Sequence, residues 1–358
     1  MVKRKISYLC NLMEKKTPIR SWLPTLLILM VGVLLFVLNL VVGSVGIPLS
    51  DFWQVLRGNG DDVCRTIVLD YRLPQAITAL LAGVGLSVSG LLMQTLFRNP
   101  LADPSILGIS SGASLGVAIV VLLARHLSGM AVSAMPGWDT VGVTLAAFVG
   151  AFLVLLLIAA LSARLKSMVS LILVGIMIAY IAGSVTDMLK FFSQKEDVHT
   201  FVIWGFGSFS NVGKNQLGYL AVTTIVGTAM AYLLSKSLNL LLLGERYAEN
   251  LGLSLRRANL LTILVSGFLM AVVTAFCGPI AFIGLAVPHL ARFTYHTSNH
   301  FTLIPATAVI GMDLALLCNL IARLPGFDGN LPINSVTALI GAPIVIYVIF
   351  HRQKVLSK

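Results

Sequence analysis

Apolar runs of about twenty residues recur from one end of this chain to the other, and nothing constrains its fold more. Each is long enough to cross a hydrocarbon core of about 30 Å as a helix. Only 11% of the 358 residues are charged, while 57% are hydrophobic. Water-soluble domains carry roughly 25% charged residues, so much of this surface must face lipid. Runs of this length, recurring along the whole chain, read as membrane-spanning helices rather than as a soluble all-α protein. The reading is an all-α polytopic membrane protein with spans at 22–42, 74–96, 105–124, 141–161, 168–189, 216–235, 258–277, 281–295, 302–321 and 335–350. Residues 1–21 form an N-terminal tail, 22–350 the transmembrane domain, and 351–358 a C-terminal tail.

An even number of spans, about ten, puts both termini on one side. With the termini inside, 17 of the 25 Lys and Arg residues lie on the cytoplasmic side, counting Arg292 near the inner end of the eighth span, as the positive-inside rule requires. The first apolar run exceeds the roughly 7–15 residues of a signal-peptide core and is read as a retained span. The net charge of +11 does not indicate nucleic acid, because the cations sit in connections and no basic patch alternates with stacking aromatics. Cys10, Cys64, Cys277 and Cys318 have neither metal-ligand nor disulfide spacing. No metal site, catalytic residue or enzyme motif is found. Intramembrane acids are scarce: Asp313 is the clear mid-span case, with Asp187 and Lys190 near a span end, and Asp313 reads first as a packing residue.

The segment "TLFRNPLADPSILGISSGASLG" interrupts this pattern. Pro100 turns Asn99 away from helical angles and ends the second span. Asp103 and Pro104 then read as N-cap and first helical residue of the third. The Asn-Pro-Leu break is either a plain turn or the inner mouth of a pathway. Gly108, Gly112 and Gly116 form a small-residue stripe suited to close helix packing. His289 in "VPHLAR" reads as a structural residue. Two connections are long enough to have their own structure. In 190–215, Phe201, Trp204, Phe206 and Phe209 suggest a short helix at the membrane interface. In 236–257, a short helix over Glu245–Leu251 should stop at Gly252, and Ser254 should cap the next helix; this is a solvated loop or a docking platform.

"NPLADPSILGISSGA" and "GPIAFIGLAVPHLA" each come after a long span, break at proline and restart a short one. On the expected topology the breaks lie on opposite faces, which is the arrangement of an inverted repeat relating spans 2–5 to spans 7–10.

Four stretches carry a resemblance: "YRLPQAITALLAGVGLSVSGLLMQTLFRNPLADPSILGISSGASLG", "LLLGERYAENLGL", "GPIAFIGLAVPHLAR" and "LPINSVTALIGAPIVIYVIF". In order and content they resemble the permease subunits of type II ABC importers for iron–siderophores, haem and vitamin B12. The resemblance implies ten helices per subunit and a permease dimer, homodimeric or heterodimeric, in a bacterial inner membrane. It also implies two cytoplasmic ATPases, which hold the ATP and Mg, and a periplasmic or lipid-anchored binding protein. The subunit itself would bind no cofactor and would not be an enzyme. By the same resemblance, the 236–257 loop is the coupling element, with Gly244, Glu245 and Gly252 its recognisable positions. Arg72 and Arg323 are the matching positions for docking the binding protein, although Gln75 stands where relatives often carry a second arginine. Asn99, Leu101, Ser167 and Met168 map to the cytoplasmic gate. Iron–siderophore is the first cargo expected. The rival reading is an ion-coupled secondary transporter built on the same repeats.

Overall fold

The computed structural model describes residues 19–43, 45–58, 61–128, 141–165, 167–324 and 331–356. Most of the N-terminal tail, including Cys10, lies outside the described residues. In chain order the helices are α1 (Ile19–Val41), α2 (Leu49–Leu56), α3 (Asp62–Thr66), α4 (Leu73–Leu96) and α5 (Ile109–Ser128). They continue as α6 (Val141–Ser162), α7 (Met168–Phe192), α8 (Lys195–Gly205), α9 (Lys214–Leu233) and α10 (Ser235–Leu242). The last five are α11 (Glu245–Asn250), α12 (Leu255–Cys277), α13 (Ile283–Tyr295), α14 (His300–Ala322) and α15 (Ile333–Leu356). No strand occurs among the described residues. Every expected span falls on a helix, and seven helices are long and apolar enough, by length and composition, to cross a membrane.

Several boundaries depart from expectation for local reasons. A π-helical stretch, Ile67–Arg72, fuses α3 to α4, so one continuous helix runs from Asp62 to Leu96. The third span begins late. Asp103 caps as expected, its Oδ1 accepting from the Ser105 N–H at 2.9 Å. The turn that it caps, however, is a 3₁₀ turn, Pro104–Leu107, ended by left-handed Gly108 (φ 79°). The α-helix starts only at Ile109. The last helix runs to Leu356 rather than stopping at 350. Ser254 does sit at the N-cap of α12 but makes no side-chain capping bond.

Helices in lipid gain little from hydrophobic contact with one another, so their association rests on close packing and hydrogen bonds. Here the close packing is backbone on backbone. A β-carbon added at Gly83 would lie 2.2 Å from the Gly311 carbonyl, and one at Gly90 would lie 2.0 Å from that of Gly284. These contacts bring α4 against α14 and α13. Gly112 and Gly116 face α6 in the same way, 2.6 Å and 2.2 Å from the carbonyls of Gly150 and Ala146. Gly108 is not part of that stripe. It lies outside the helix and faces Gly175 of α7 at 2.9 Å, and its left-handed angle favours a residue without a β-carbon.

The packing repeats between the two halves. α5 lies on α6 and α13 on α14, while α6 packs on α12 and α14 on α4, so each half embraces the first helix of the other. The two first helices, α4 and α12, meet at a reciprocal serine pair. The Ser89 and Ser266 hydroxyls are 2.8 Å apart, and each approaches the other's carbonyl oxygen, at 2.7 and 2.9 Å. α4 is the buried axis, with 83% of its best apolar window inside the protein, against 11% for α1.

The aromatic outer loop also differs from expectation. α8 forms, but Phe201, Trp204 and Phe209 are buried in the main core, and only Phe206 is substantially exposed. An interior site was available because α8 lies across α5, and core burial takes the rings further from water than an interface would.

Candidate functional site

One end of the bundle gathers the break after α4, the short helices α10 and α11, the end of α13 and the start of α14. α4 stops at Leu96, and Arg98 takes a left-handed conformation (φ 48°). The chain then turns through Asn99 and Pro100, with the Asn99 Oδ1 accepting from the Leu101 N–H at 3.0 Å. Arg98, Asn99 and Leu101 are exposed, whereas Ala102 and Asp103 are buried. Asp103 lies over the second break: a β-carbon at Gly284 would be 3.0 Å from its Oδ2. Burial pushes the Asp103 carboxyl above the usual carboxylate range, and its bonds to Ser105 pull the other way.

The turn is fastened on both sides. From α13, the His289 Nε2–H donates to the Pro100 carbonyl at 2.9 Å. Arg292 donates to the Gln94 Oε1 at 2.6 Å, and the Gln94 amide donates to the Leu285 carbonyl at 3.2 Å. From the other side, Arg98 donates to the Leu241 carbonyl at 3.3 Å and pairs with Glu245 at 3.6 Å. α10 is held in turn by Asn239, whose Oδ1 accepts from the His300 N–H and whose amide donates to Asn299, both at 2.8 Å. The 236–257 segment is therefore fastened to the body at α4 and α14. Within it, Gly244 (φ 109°) opens α11 and Gly252 (φ 86°) closes it. The closing bonds run from the Gly252 N–H to Glu249 at 2.8 Å and from the Leu253 N–H to Ala248 at 3.0 Å, satisfying carbonyls that the helix leaves open.

Sequence reasoning passed over Arg98 and gave His289 no partner. Arg98 is an isolated cation in a connection, and only the fold brings it to Glu245. Ser167 is exposed at the N-cap of α7 and Met168 is half-buried. The hydrogen bonds of Ser167 are local, to Ser170 and Leu171. None joins Ser167 or Met168 to Asn99 or Leu101.

At the opposite end, Arg72 and Arg323, the positions that the resemblance matches to docking of a binding protein, are both buried. Arg72 donates to the carbonyls of Leu40 and Val41, at 3.0 and 2.6 Å, and also to that of Val45. Arg323 donates to the Asn39 carbonyl at 3.4 Å. A β-carbon at Gly43 would come within 2.8 and 2.9 Å of the two guanidiniums. The last carbonyls of a helix lack intrahelical partners and carry partial negative charge. Two cations over the end of α1 satisfy both needs. Gln75 is also committed: it donates to Asn319, which donates to Asn39, at 3.0 and 2.8 Å. That amide ladder ties α4, α14 and α1 together. Asp313 faces Gly32 of α1, and its Oδ1 has no hydrogen-bond partner among the described residues.

The FecCD transport family profile matches residues 28–351. The chain is 34% identical over 345 residues to the vitamin B12 import system permease protein BtuC of Klebsiella pneumoniae, covering 96% of this chain and 97% of that protein. A second BtuC, from Citrobacter koseri, is also 34% identical, over 93% of this chain and 95% of its own. A metal-chelate type ABC transporter solved in an inward-facing conformation superposes with a TM-score of 0.78 at 30% identity, over 94% of this chain and all of that one. PsaBC of Streptococcus pneumoniae, at 15% identity and a TM-score of 0.55, shares the fold. With a family profile spanning nearly the whole chain and relatives this similar end to end, the chain belongs to the FecCD transport family.

Proposed function

We propose that this chain is the membrane subunit of an ABC importer, working as a pair of copies fed by an outer binding protein and driven by two cytoplasmic ATPases. The observation that carries the reading is the fastening of the 236–257 helices to Arg98, the residue that leads into the Asn99–Leu101 turn, at one end of the bundle. A segment with an exposed, glycine-bounded helix can meet a partner, and its bonds to α4 and α14 give that partner a grip on the helices around the break. ATP binding and hydrolysis on the partner would move α11 and so switch the turn between closed and open.

The BtuC relatives are named for vitamin B12 import and one similar structure for metal chelates, and vitamin B12 is itself a large chelated metal ion. The cargo class proposed is a metal chelate, with cobalamin now ahead of the iron–siderophores expected first and haem behind both. Val169, Leu173, Met177, Tyr180, Ile181 and Met188 are exposed along α7, an apolar face open to lipid or to a second copy.

The test is uptake into vesicles containing the permease and its ATPases, with the binding protein outside and ATP trapped within. ATP-dependent import of labelled cyanocobalamin or of a ferric siderophore is expected, unaffected by a protonophore. Uptake that persists without the ATPases and collapses with the proton gradient would overturn this reading in favour of an ion-coupled carrier.

A further inference from the structure

We propose that Arg98 is a positioning residue that passes the movement of α11 into the Asn99–Leu101 turn; this rests on the importer reading above. Three observations meet at this one residue. Its side chain reaches the coupling segment at two points, the Glu245 carboxylate at 3.6 Å and the Leu241 carbonyl at 3.3 Å. Its backbone is the hinge between α4 and the turn, with its N–H on the Thr95 carbonyl at 3.3 Å and its own φ at 48°. Beyond it, the Pro100 carbonyl is anchored to His289. The turn is thus strung between a fixed point on α13 and a movable one on α11.

The left-handed well is small and disfavoured for any residue with a β-carbon. The lower-energy alternative is the right-handed well, in which α4 would gain a residue and Asn99 to Leu101 would swing with it. On this inference Arg98 has these two discrete backbone states, and its side chain lets α11 bias the choice. Such a two-state element is the physical requirement for coupling between sites. A cavity of about 420 Å³ bounded by Arg98, Pro100, Leu242, His289 and Leu303 leaves room beside the turn for the movement. Arg98 and Glu245 are each about half exposed, at 45% and 52% of the side chain, so the link is modest in strength.

The experiment measures cargo imported per ATP hydrolysed in vesicles holding the whole complex, using cyanocobalamin or a ferric hydroxamate as the probe. Arg98→Glu and Glu245→Arg should each lower that ratio about threefold, the range that a partly exposed ion pair supplies. The double exchange, Arg98→Glu with Glu245→Arg, should bring it back to within about twofold of the parent. Arg98→Gly keeps the left-handed turn without strain and loses the side chain; it should be uncoupled while remaining as stable as the parent. If the parent needs ATP but Arg98→Glu and Arg98→Gly import normally per ATP, the inference fails and the importer reading stands. A parent that imports without ATP overturns both.

Discussion

The two proline breaks occupy corresponding places in the two halves, yet they are built differently. The first, Phe97–Gly108, keeps Arg98, Asn99 and Leu101 exposed and is fastened by the His289 side chain on one side and by the Leu241 carbonyl and the Glu245 carboxylate on the other. The second, Gly278–Phe282, is mostly walled in by its own surroundings, with Ala281 its one exposed residue. Gly278 lies against the Trp204 carbonyl, the Ser208 N–H bonds to Cys277, and the Asn334 Oδ1 accepts from the Ala281 N–H. Phe282, itself left-handed at φ 70°, rests on Gly341 of α15. One pattern of sequence has produced a turn open to solvent and partners at one end and a packed joint at the other. A repeat fixes where the chain breaks, and the neighbours decide whether that break can move.

The comparison is broken most directly at Gly278. Its angles (φ 74°, ψ −179°) suit glycine alone, and a β-carbon would sit 2.6 Å from the Trp204 carbonyl. Gly278→Ala should cost about 3 kcal/mol, read as a fall in thermal unfolding temperature in detergent. Asn334→Ala removes the side-chain bond to the second break and should cost about 1 kcal/mol, with uptake per ATP unchanged. His289→Ala removes the corresponding bond to the first break. It should cost a similar amount, about 1 kcal/mol, but lower the rate of ATP-driven uptake about threefold. Equal effects of these two variants on uptake would mean that the breaks do not differ in mobility. The smallest effect belongs to Asp103. Its folded-state carboxyl holds a proton more tightly than in the unfolded chain, because burial outweighs the Ser105 bonds. Stability should therefore fall as pH rises from about 4 through that raised value and then level off. Asp103→Asn keeps an accepting oxygen for the Ser105 N–H and should abolish that slope in unfolding measured between about pH 4 and pH 8.

Helix positions were legible because an apolar run needs only length and composition to be recognised. The details that failed depend on neighbours. The π-helical stretch before Leu73 leaves the apolar pattern unchanged, so no periodicity reveals it. Gly108 matches the four-residue spacing of Gly112 and Gly116, but the preceding 3₁₀ turn takes it out of the helix. The aromatics of α8 look alike on an interface and in a core. The bonds of Arg72 and Arg323 to the end of α1 were not legible either, because its open carbonyls are invisible until α1 is seen beside them. Glu245 and Gly252 could be singled out by resemblance, while the Arg98 link required two segments far apart in sequence to meet.

The glycine contacts along α4 have a further mechanical consequence. At Gly83 and Gly90 this helix touches α14 and α13 through main-chain atoms, and main chain has no rotamers to exchange. Such seams do not slide by small side-chain adjustments, as interleaved leucines can. They hold or they separate. Below the breaks, α4, α13 and α14 behave as one block, so a change of state has to be carried by pivots at its ends rather than by shear within it.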